Sequence, residues 1–260
     1  MKLTPDPWLS DILGYEASNL DVQAVSDAEG FSRAWAKVLR SSHQSLVTAK
    51  VPTYDIQSLR LLEGAGYRIV DTLVTFQLSG QRLSKFPSSF FPPFLSMRHW
   101  QTQKLGPMGE GDIDACWIEI AARAFRFSRF HLDPLLAPVA DMIKREWARS
   151  YLLGKRGSDI LLGYKEDVLV GFLAVQGPNT ADNPRPAAII DLIGVDPGHQ
   201  GKGIGKALIE HLMAYYLKWP VQAGTQVCNT ASLSLYGSLG FKIVDSAYVL
   251  HLHTGVAPVC

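Results

Sequence analysis

The sequence predicts a mixed α/β fold built around a glycine-rich strand–turn–helix unit, and three observations predict it. Apolar residues follow a two-residue period in some segments and a helical period in others, so strands and helices interleave along the second half. A turn with alternating glycines joins a strand to an amphipathic helix between Ile193 and Leu208. A block of sequence near residue 60 returns near residue 234.

Composition sets the frame. The chain has 260 residues, 47% of them apolar and 19% charged, enough to bury a core and too apolar for disorder. Its formal charge is +1, which gives no global attraction to nucleic acid or anionic membrane. The three cysteines, Cys116, Cys228 and Cys260, have no metal-ligand spacing and form no even framework. The opening MKLTPDPWLS lacks the apolar run of a signal peptide, and no apolar stretch approaches the ~18 residues of a membrane span. The expectation is a soluble, cytoplasmic protein.

A connector rich in proline, with Pro87, Pro92, Pro93 and Pro107, separates two units. The expected division is an N-terminal unit over 1–80, a linker over 81–96 and a second unit over 97–260. The second unit opens with a short strand over 97–104 and a helix over 112–125, whose stripe is Ile113, Cys116, Trp117, Ile120, Ala121 and Ala124. A helix over 140–152 follows, then strands over 160–164 and 168–176 joined by Lys165-Glu166-Asp167. A polar loop over 177–186 leads to a strand over 187–195. Beyond the glycine turn lie a helix over 203–218, a strand over 222–227, a helix over 230–239 and a strand over 242–253.

The repeat emerges on shifting the chain by about 174 residues. Ser58 to Asp71 (SLRLLEGAGYRIVD) then lies over Ser232 to Asp245 (SLSLYGSLGFKIVD) without a gap, and Leu78 falls on Leu252. Both copies read as a helix closed by glycine, Gly66 or Gly240, and followed at once by an apolar strand. Leu62 stands where the second copy has Tyr236, and no glycine-rich turn precedes the first copy. The chemistry is therefore expected once, in the second unit.

The turn itself runs Val195-Asp196-Pro197-Gly198-His199-Gln200-Gly201-Lys202-Gly203-Ile204-Gly205. Consecutive amides at a helix N-terminus form an anion-binding concavity, and pyrophosphate suits it. A Walker A loop fails, because Ala207 follows Gly205-Lys206. A dinucleotide fingerprint fails because Lys206 stands at its third glycine position. What fits is Q/R-x-x-G-x-G/A, as Gln200 to Gly205, after V-x-P at Val195 to Pro197.

Here the sequence resembles the GNAT superfamily of N-acetyltransferases over roughly residues 97–253. The likeness extends to the N-x6-Y spacing of Asn229 and Tyr236 and to Leu239-Gly240-Phe241. It implies a GNAT fold with a mixed, mostly antiparallel, splayed sheet, preceded by a degenerate partial GNAT-like half-domain. It also implies acetyl-CoA as acetyl donor, with no metal. The strand ending at Val195 would leave its neighbour, with main-chain groups of Ile193 and Val195 on the pantetheine arm. The amides of Gln200, Gly201, Lys202, Gly203, Ile204 and Gly205 would hold the pyrophosphate. Asn229 would contact the cofactor, and Tyr236 would sit near the sulfur.

Direct attack of an amine on the thioester needs an oxyanion donor and a proton for the leaving thiolate. The Val195 N–H suits the first. Tyr236 suits the second, since a phenol with pKa ~10 is protonated at neutral pH. Strict alternation places Asp191 on the face of Ile193 and Val195. Two readings of Asp191 stand: it accepts the amine proton through water, or it orients a loop.

The stretch Ala124 to Asp133, the half-copy at the N-terminus and the C-terminal strand resemble the dTDP-fucosamine acetyltransferases. That likeness implies a nucleotide-linked amino sugar as acceptor, with Arg129 holding a phosphate and His131 a sugar hydroxyl. The connector and the 177–186 loop depart from that pattern. A free amine, an antibiotic or a protein N-terminus are the other acceptors, and a non-catalytic CoA-binding module is the reading outside enzymes. His251-x-His253 puts two imidazoles on one strand face, with no third ligand legible. No basic–aromatic alternation points to nucleic acid. The open sheet edge of the half-domain would suit a homodimer.

Overall fold

The computed structural model describes residues 2–22, 45–79, 95–101, 117–157, 159–178, 186–216 and 218–255. Its strands, in chain order, are β1 (Lys2–Pro5), β2 (Glu16–Asp21), β3 (Ser45–Pro52), β4 (Arg68–Leu78), β5 (Leu95–Gln101), β6 (Asp159–Lys165), β7 (Val168–Gln176), β8 (Ala188–Val195), β9 (Val221–Gln226) and β10 (Lys242–Thr254). The helices are α1 (Pro7–Leu13), α2 (Ile56–Gly64), α3 (Trp117–Ala124), α4 (Arg129–Leu132), α5 (Ala140–Leu152), α6 (Ile204–Tyr215) and α7 (Thr230–Ser238). These strands join one open sheet, in the order β1-β2-β3-β10-β4-β9-β8-β7-β6-β5. Among them, only β2–β3 and β8–β9 pair in parallel.

Most of the expected linker falls on 80–94, outside the described residues, and β5 begins at Leu95, inside the remainder. The helix expected from 112 is described from Trp117 onward. Glu166 and Asp167 both take positive φ, 50° and 64°, the geometry of a tight two-residue hairpin turn between β6 and β7. No helix among the described residues is long and apolar enough to cross a membrane.

The repeat governs the centre of the sheet. Each half places a strand between two strands of the other: β10 lies between β3 and β4, and β4 lies between β10 and β9. The register obeys the same shift of about 174 residues. Lys242 faces Gln77 while His251 faces Arg68, and Asp245 faces Thr75 while Val249 faces Asp71. The irregularities recur too, one passing over Val244 and the other over Val70. The flanking ladders match, with Pro52 opposite Ala247 and Gln226 opposite Leu73.

Local chemistry explains why the helix–strand units coincide. Asp55 caps α2 by accepting the Ser58 N–H at 3.0 Å, and Asn229 caps α7 by accepting the Ser232 N–H at 3.2 Å. At the other end, the Tyr67 N–H donates to the Leu62 carbonyl and the Phe241 N–H to the Tyr236 carbonyl. These are Schellman closures, and they require Gly66 and Gly240 at φ 97° and 81°.

Burial fixes the layers. On one face, α6 and α7 pack Leu208, Leu212, Tyr236 and Leu239 against β4, β7, β8 and β9. On the other, α3 and α5 pack Trp117, Ala148 and Tyr151 against β6, β7 and Leu192. A further cluster joins α1 and β3 of the N-terminal half to α4 and α5 through Leu9, Leu46, Phe130 and Ile143. Helices α4 and α5 of the C-terminal half thus rest directly on the N-terminal half.

Candidate active site

Strand β8 leaves β9 after three pairs. Ala188, Ile189 and Ile190 face Val221, Gln222 and Ala223, and beyond Ile190 the parallel pairing stops. On its other edge β8 stays paired with β7 as far as Val195. The Asp196 N–H donates to the Val170 carbonyl at 2.9 Å, so Gly194 is the next residue bonded to β7. Alternation therefore turns the main-chain groups of Ile193 and Val195 away from β7, toward the edge β9 has left. The Val195 carbonyl accepts from Gln200 Nε2 at 3.1 Å, which leaves its N–H to the gap.

The glycine turn follows directly. Asp196 caps a single 3-10 turn, Pro197–His199, by accepting the Gly198 N–H at 3.0 Å. Lys202 Nζ folds back to the Gly198 carbonyl at 2.9 Å. Gly201 and Gly203 take φ of 74° and 81°, where a side chain would be strained, and a Cβ at either would meet open space. The N–H groups of Gln200, Gly201, Lys202 and Gly203 have no acceptor among the described residues. With the first amides of α6 from Ile204 and Gly205, they make a row of donors at a helix N-terminus.

Tyr236 lies on α7, its ring buried against Phe76 and Phe241 at 5.4 Å from each. Burial pushes its phenol well above the ordinary value. Its hydroxyl has no hydrogen-bond partner among the described residues. Asn229 is the N-cap of the same helix, so its side-chain oxygen is engaged with Ser232.

Asp191 departs from the alternation read in the sequence. Leu192 pairs with Ala174 and Ile190 with Val175, so Asp191 is passed over in a β-bulge. The bulge turns its carboxylate toward α5, away from Ile193 and Val195, which pack on the α6 side. There Oδ2 accepts from Trp147 Nε1 at 2.8 Å, Tyr151 Oη at 2.8 Å and Arg156 Nε at 2.7 Å. Burial works to raise the Asp191 pKa, but the Arg156 charge and the three donors overcome it and hold the carboxyl below its ordinary value. Burial pushes the Tyr151 hydroxyl far up, with the Asp191 charge adding to it.

Arg129 and His131 lie on α4, against the N-terminal half. The Arg129 guanidinium sits 4.7 Å over the Phe130 ring and makes no hydrogen bond or ion pair among the described residues. Both His131 ring nitrogens are occupied, Nδ1 with Ser128 at 2.6 Å and Nε2 with Asp141 at 2.9 Å.

Two features were not legible in the sequence. The first is Asp133, whose Oδ2 lies 2.6 Å from His251 Nδ1 and 2.8 Å from His253 Nε2 and supplies the missing third member of that group. Both lengths are those of imidazoles donating to one carboxylate. Among the described residues, the outer nitrogens, His251 Nε2 and His253 Nδ1, have none of the outer acceptors that orient a metal-bound imidazole. The second is Lys144 on α5, only 6% exposed and enclosed by Phe125, Phe130 and Trp147 at 4.6, 5.9 and 4.3 Å. A lone lysine in a helical pattern reads as surface; only the aromatic residues that tertiary packing brings around it reveal otherwise.

A strand that abandons its parallel neighbour beside a row of free amides is the architecture of an acyl-CoA-dependent transferase. The acetyltransferase (GNAT) family model matches residues 117–241, and the protein carries an acetyltransferase domain of that family. Across 95% of the chain and 81% of the relative, it is 29% identical to the spore coat polysaccharide biosynthesis protein SpsD of Bacillus subtilis. It is 25% identical to a mycothiol acetyltransferase of Renibacterium salmoninarum over 86% of the chain, and spans 60% of that protein's length. Among solved structures, a tandem GNAT protein from the clavulanic acid biosynthesis pathway covers 93% of the chain and is itself covered to 76%. It aligns with a TM-score of 0.59 at 16% identity, a likeness of fold. Residues 117–241 are thus an acetyltransferase domain of the GNAT type, and enzymes of this family use acetyl-CoA.

Proposed function

We propose that the protein transfers an acetyl group from acetyl-CoA to the primary amine of a small molecule, a nucleotide-linked amino sugar. The observation that carries the reading is the splay of β8 from β9, which frees the Val195 N–H between the glycine turn and Tyr236. The similarity to SpsD, a polysaccharide biosynthesis protein, supports the sugar.

In this reading the amides of Gln200 to Gly205 hold the CoA pyrophosphate, and Ile193 and Val195 pair with the pantetheine arm. The neutral amine attacks the thioester carbonyl carbon, and the oxyanion is received by the Val195 N–H. As the C–S bond breaks, the Tyr236 hydroxyl gives its proton to the thiolate; the amine nitrogen releases its extra proton to solvent, and solvent reprotonates the phenolate. Its raised pKa keeps the phenol protonated until that moment. Asp191 takes the orienting role: it holds Trp147, Tyr151 and Arg156 around the acceptor side, and a carboxyl below its ordinary pKa is a weak base. Asn229 sets the start of α7, and so the reach of Tyr236. Arg129 meets the acceptor, and His131 stabilises α4 rather than touching sugar.

Similarity to two mycothiol acetyltransferases favours a second reading, in which the amine belongs to a different small molecule. Thiol release from acetyl-CoA with nucleotide-linked amino sugars, beside simple amines and peptides, separates them. Saturable release on a dTDP-amino sugar supports the first reading. Release on other amines alone discards the sugar, and acetyl-CoA binding without release on any amine discards catalysis.

A further inference from the structure

The acceptor side of the splay is walled by both halves of the chain, and three of its cations form no ion pair among the described residues. Lys50 comes from β3, Arg129 from α4 and Lys144 from α5. None of the three makes a hydrogen bond or an ion pair among the described residues. They are close enough to oppose one another's charge: Arg129 disfavours the charged form of both Lys50 and Lys144, and Arg156 disfavours that of Arg129 and Lys144.

The carboxylates within reach are engaged elsewhere. Asp191 is bound by Trp147, Tyr151 and Arg156. Asp6 caps α1 through the Leu9 N–H at 3.0 Å, and Asp71 accepts the Thr72 N–H at 2.7 Å. Asp245, the remaining carboxylate acting on Lys50, is exposed on β10. Stacking of Arg129 on Phe130 leaves its N–H edge free, and the aromatic walls around Lys144 offer its ammonium no acceptor. Three cationic side chains gathered with no ion pair among the described residues repel one another, and an anion entering beside them relieves that repulsion.

We propose that Lys50, Arg129 and Lys144 form an anion cradle at the junction of the two halves, which receives a phosphoryl or carboxylate group on the acceptor. This rests on the reading of the β8 splay as the acetyl-transfer site. It gives the N-terminal half a direct part in substrate recognition, through Lys50. Arg129 supplies a planar pair of donors, Lys144 the charge at the floor, and Lys50 the charge at the rim.

The test uses the full chain saturated with CoA, which fills the glycine turn and leaves the cradle as the remaining anion site. Calorimetric titration with inorganic pyrophosphate and, separately, with malonate distinguishes a phosphoryl from a carboxylate ligand. One-to-one binding of either is expected, weakened at least tenfold in Arg129→Ala and severalfold in Lys50→Glu. Lys50 is exposed, so its substitution leaves the fold intact even where Arg129→Ala does not. Binding of CoA but of neither anion overturns the cradle alone, as does anion binding that Lys50→Glu leaves unchanged. Failure to bind CoA in the first step overturns the acetyl-transfer reading itself.

Discussion

The indole N–H of Trp147 donates to Asp191 Oδ2 at 2.8 Å, tying α5 to the bulge of β8 at the point where β9 departs. The same oxygen carries the Arg156 ion pair at 2.7 Å. Asp191→Asn keeps the shape and removes the charge that three donors are built around. The variant is expected to lose about 2 kcal/mol of stability near neutral pH. Because the folded pKa lies below 3.8, this contribution is complete above that value and is lost as pH falls through the folded pKa. Urea unfolding of both proteins at pH 7 checks it; equal midpoints would mean the carboxylate is not structural.

Tyr236→Phe removes one oxygen that no group among the described residues engages. Turnover should fall well over tenfold, with acetyl-CoA affinity and thermal stability nearly intact. Single-turnover thiol release measures the first and calorimetry the second. An unchanged rate would take the phenol out of the mechanism.

Gly203 separates strain from charge. Ala there meets no neighbour, so its cost is the positive φ alone, about 1 kcal/mol of stability. Asp adds a carboxylate facing the pyrophosphate and should weaken CoA binding more than tenfold beyond the Ala variant. Equal affinities for CoA in the two variants would move the pyrophosphate elsewhere.

Acid should loosen the contact of Asp133 with β10 in two stages. Burial lowers the His251 pKa below 6.5, so the unfolded chain takes up a proton that the folded one resists, and stability drops as pH falls below about 6.5. Burial works to raise the Asp133 pKa, but hydrogen bonds from His251, His253 and the Leu135 amide hold it far below 3.8. A second loss therefore begins below about 4. Asp133→Asn should abolish the second stage, read as urea midpoints between pH 7 and 3; a variant that keeps both stages would contradict the assignment.

Lys144 gives the cradle a proton signature. Burial, with Arg129 and Arg156 adding repulsion against the pull of Asp191, lowers its pKa to about 7. At pH 8 the amine is mostly neutral, and an anion that binds beside it draws a proton in. Pyrophosphate binding at pH 8 should show proton uptake in buffers of differing ionisation heat, and Lys144→Met should lose it. Uptake that survives the substitution would belong to another group.

Much of this was readable because it is local. The glycine turn and the closures at Gly66 and Gly240 are written in adjacent residues, and the structure has them at the expected positions. The repeat was readable as well, although not its outcome, since pairing β4 with β9 and β10 with β3 is a choice between partners that lie far apart in the chain. The bulge at Asp191 escaped for a related reason. An extra residue in one strand exists only relative to the other, and no periodicity within Ala188–Val195 announces it. Asp133 and Lys144 depend on elements distant in sequence meeting on folding, where a single residue carries no pattern.

The interleaving of β4 and β10 has a consequence for how such a chain comes into being. Two separate copies exchanging these strands would make a symmetric embrace of the domain-swapped kind, and this chain holds that embrace within one polypeptide. Neither half can close its sheet first and wait for the other. The centre must be laid last, when the final strand has left the ribosome, and it joins segments nearly the whole chain apart, which marks a slow folder. For the same reason, severing the chain between β4 and β5 would yield two fragments that need each other, not two domains.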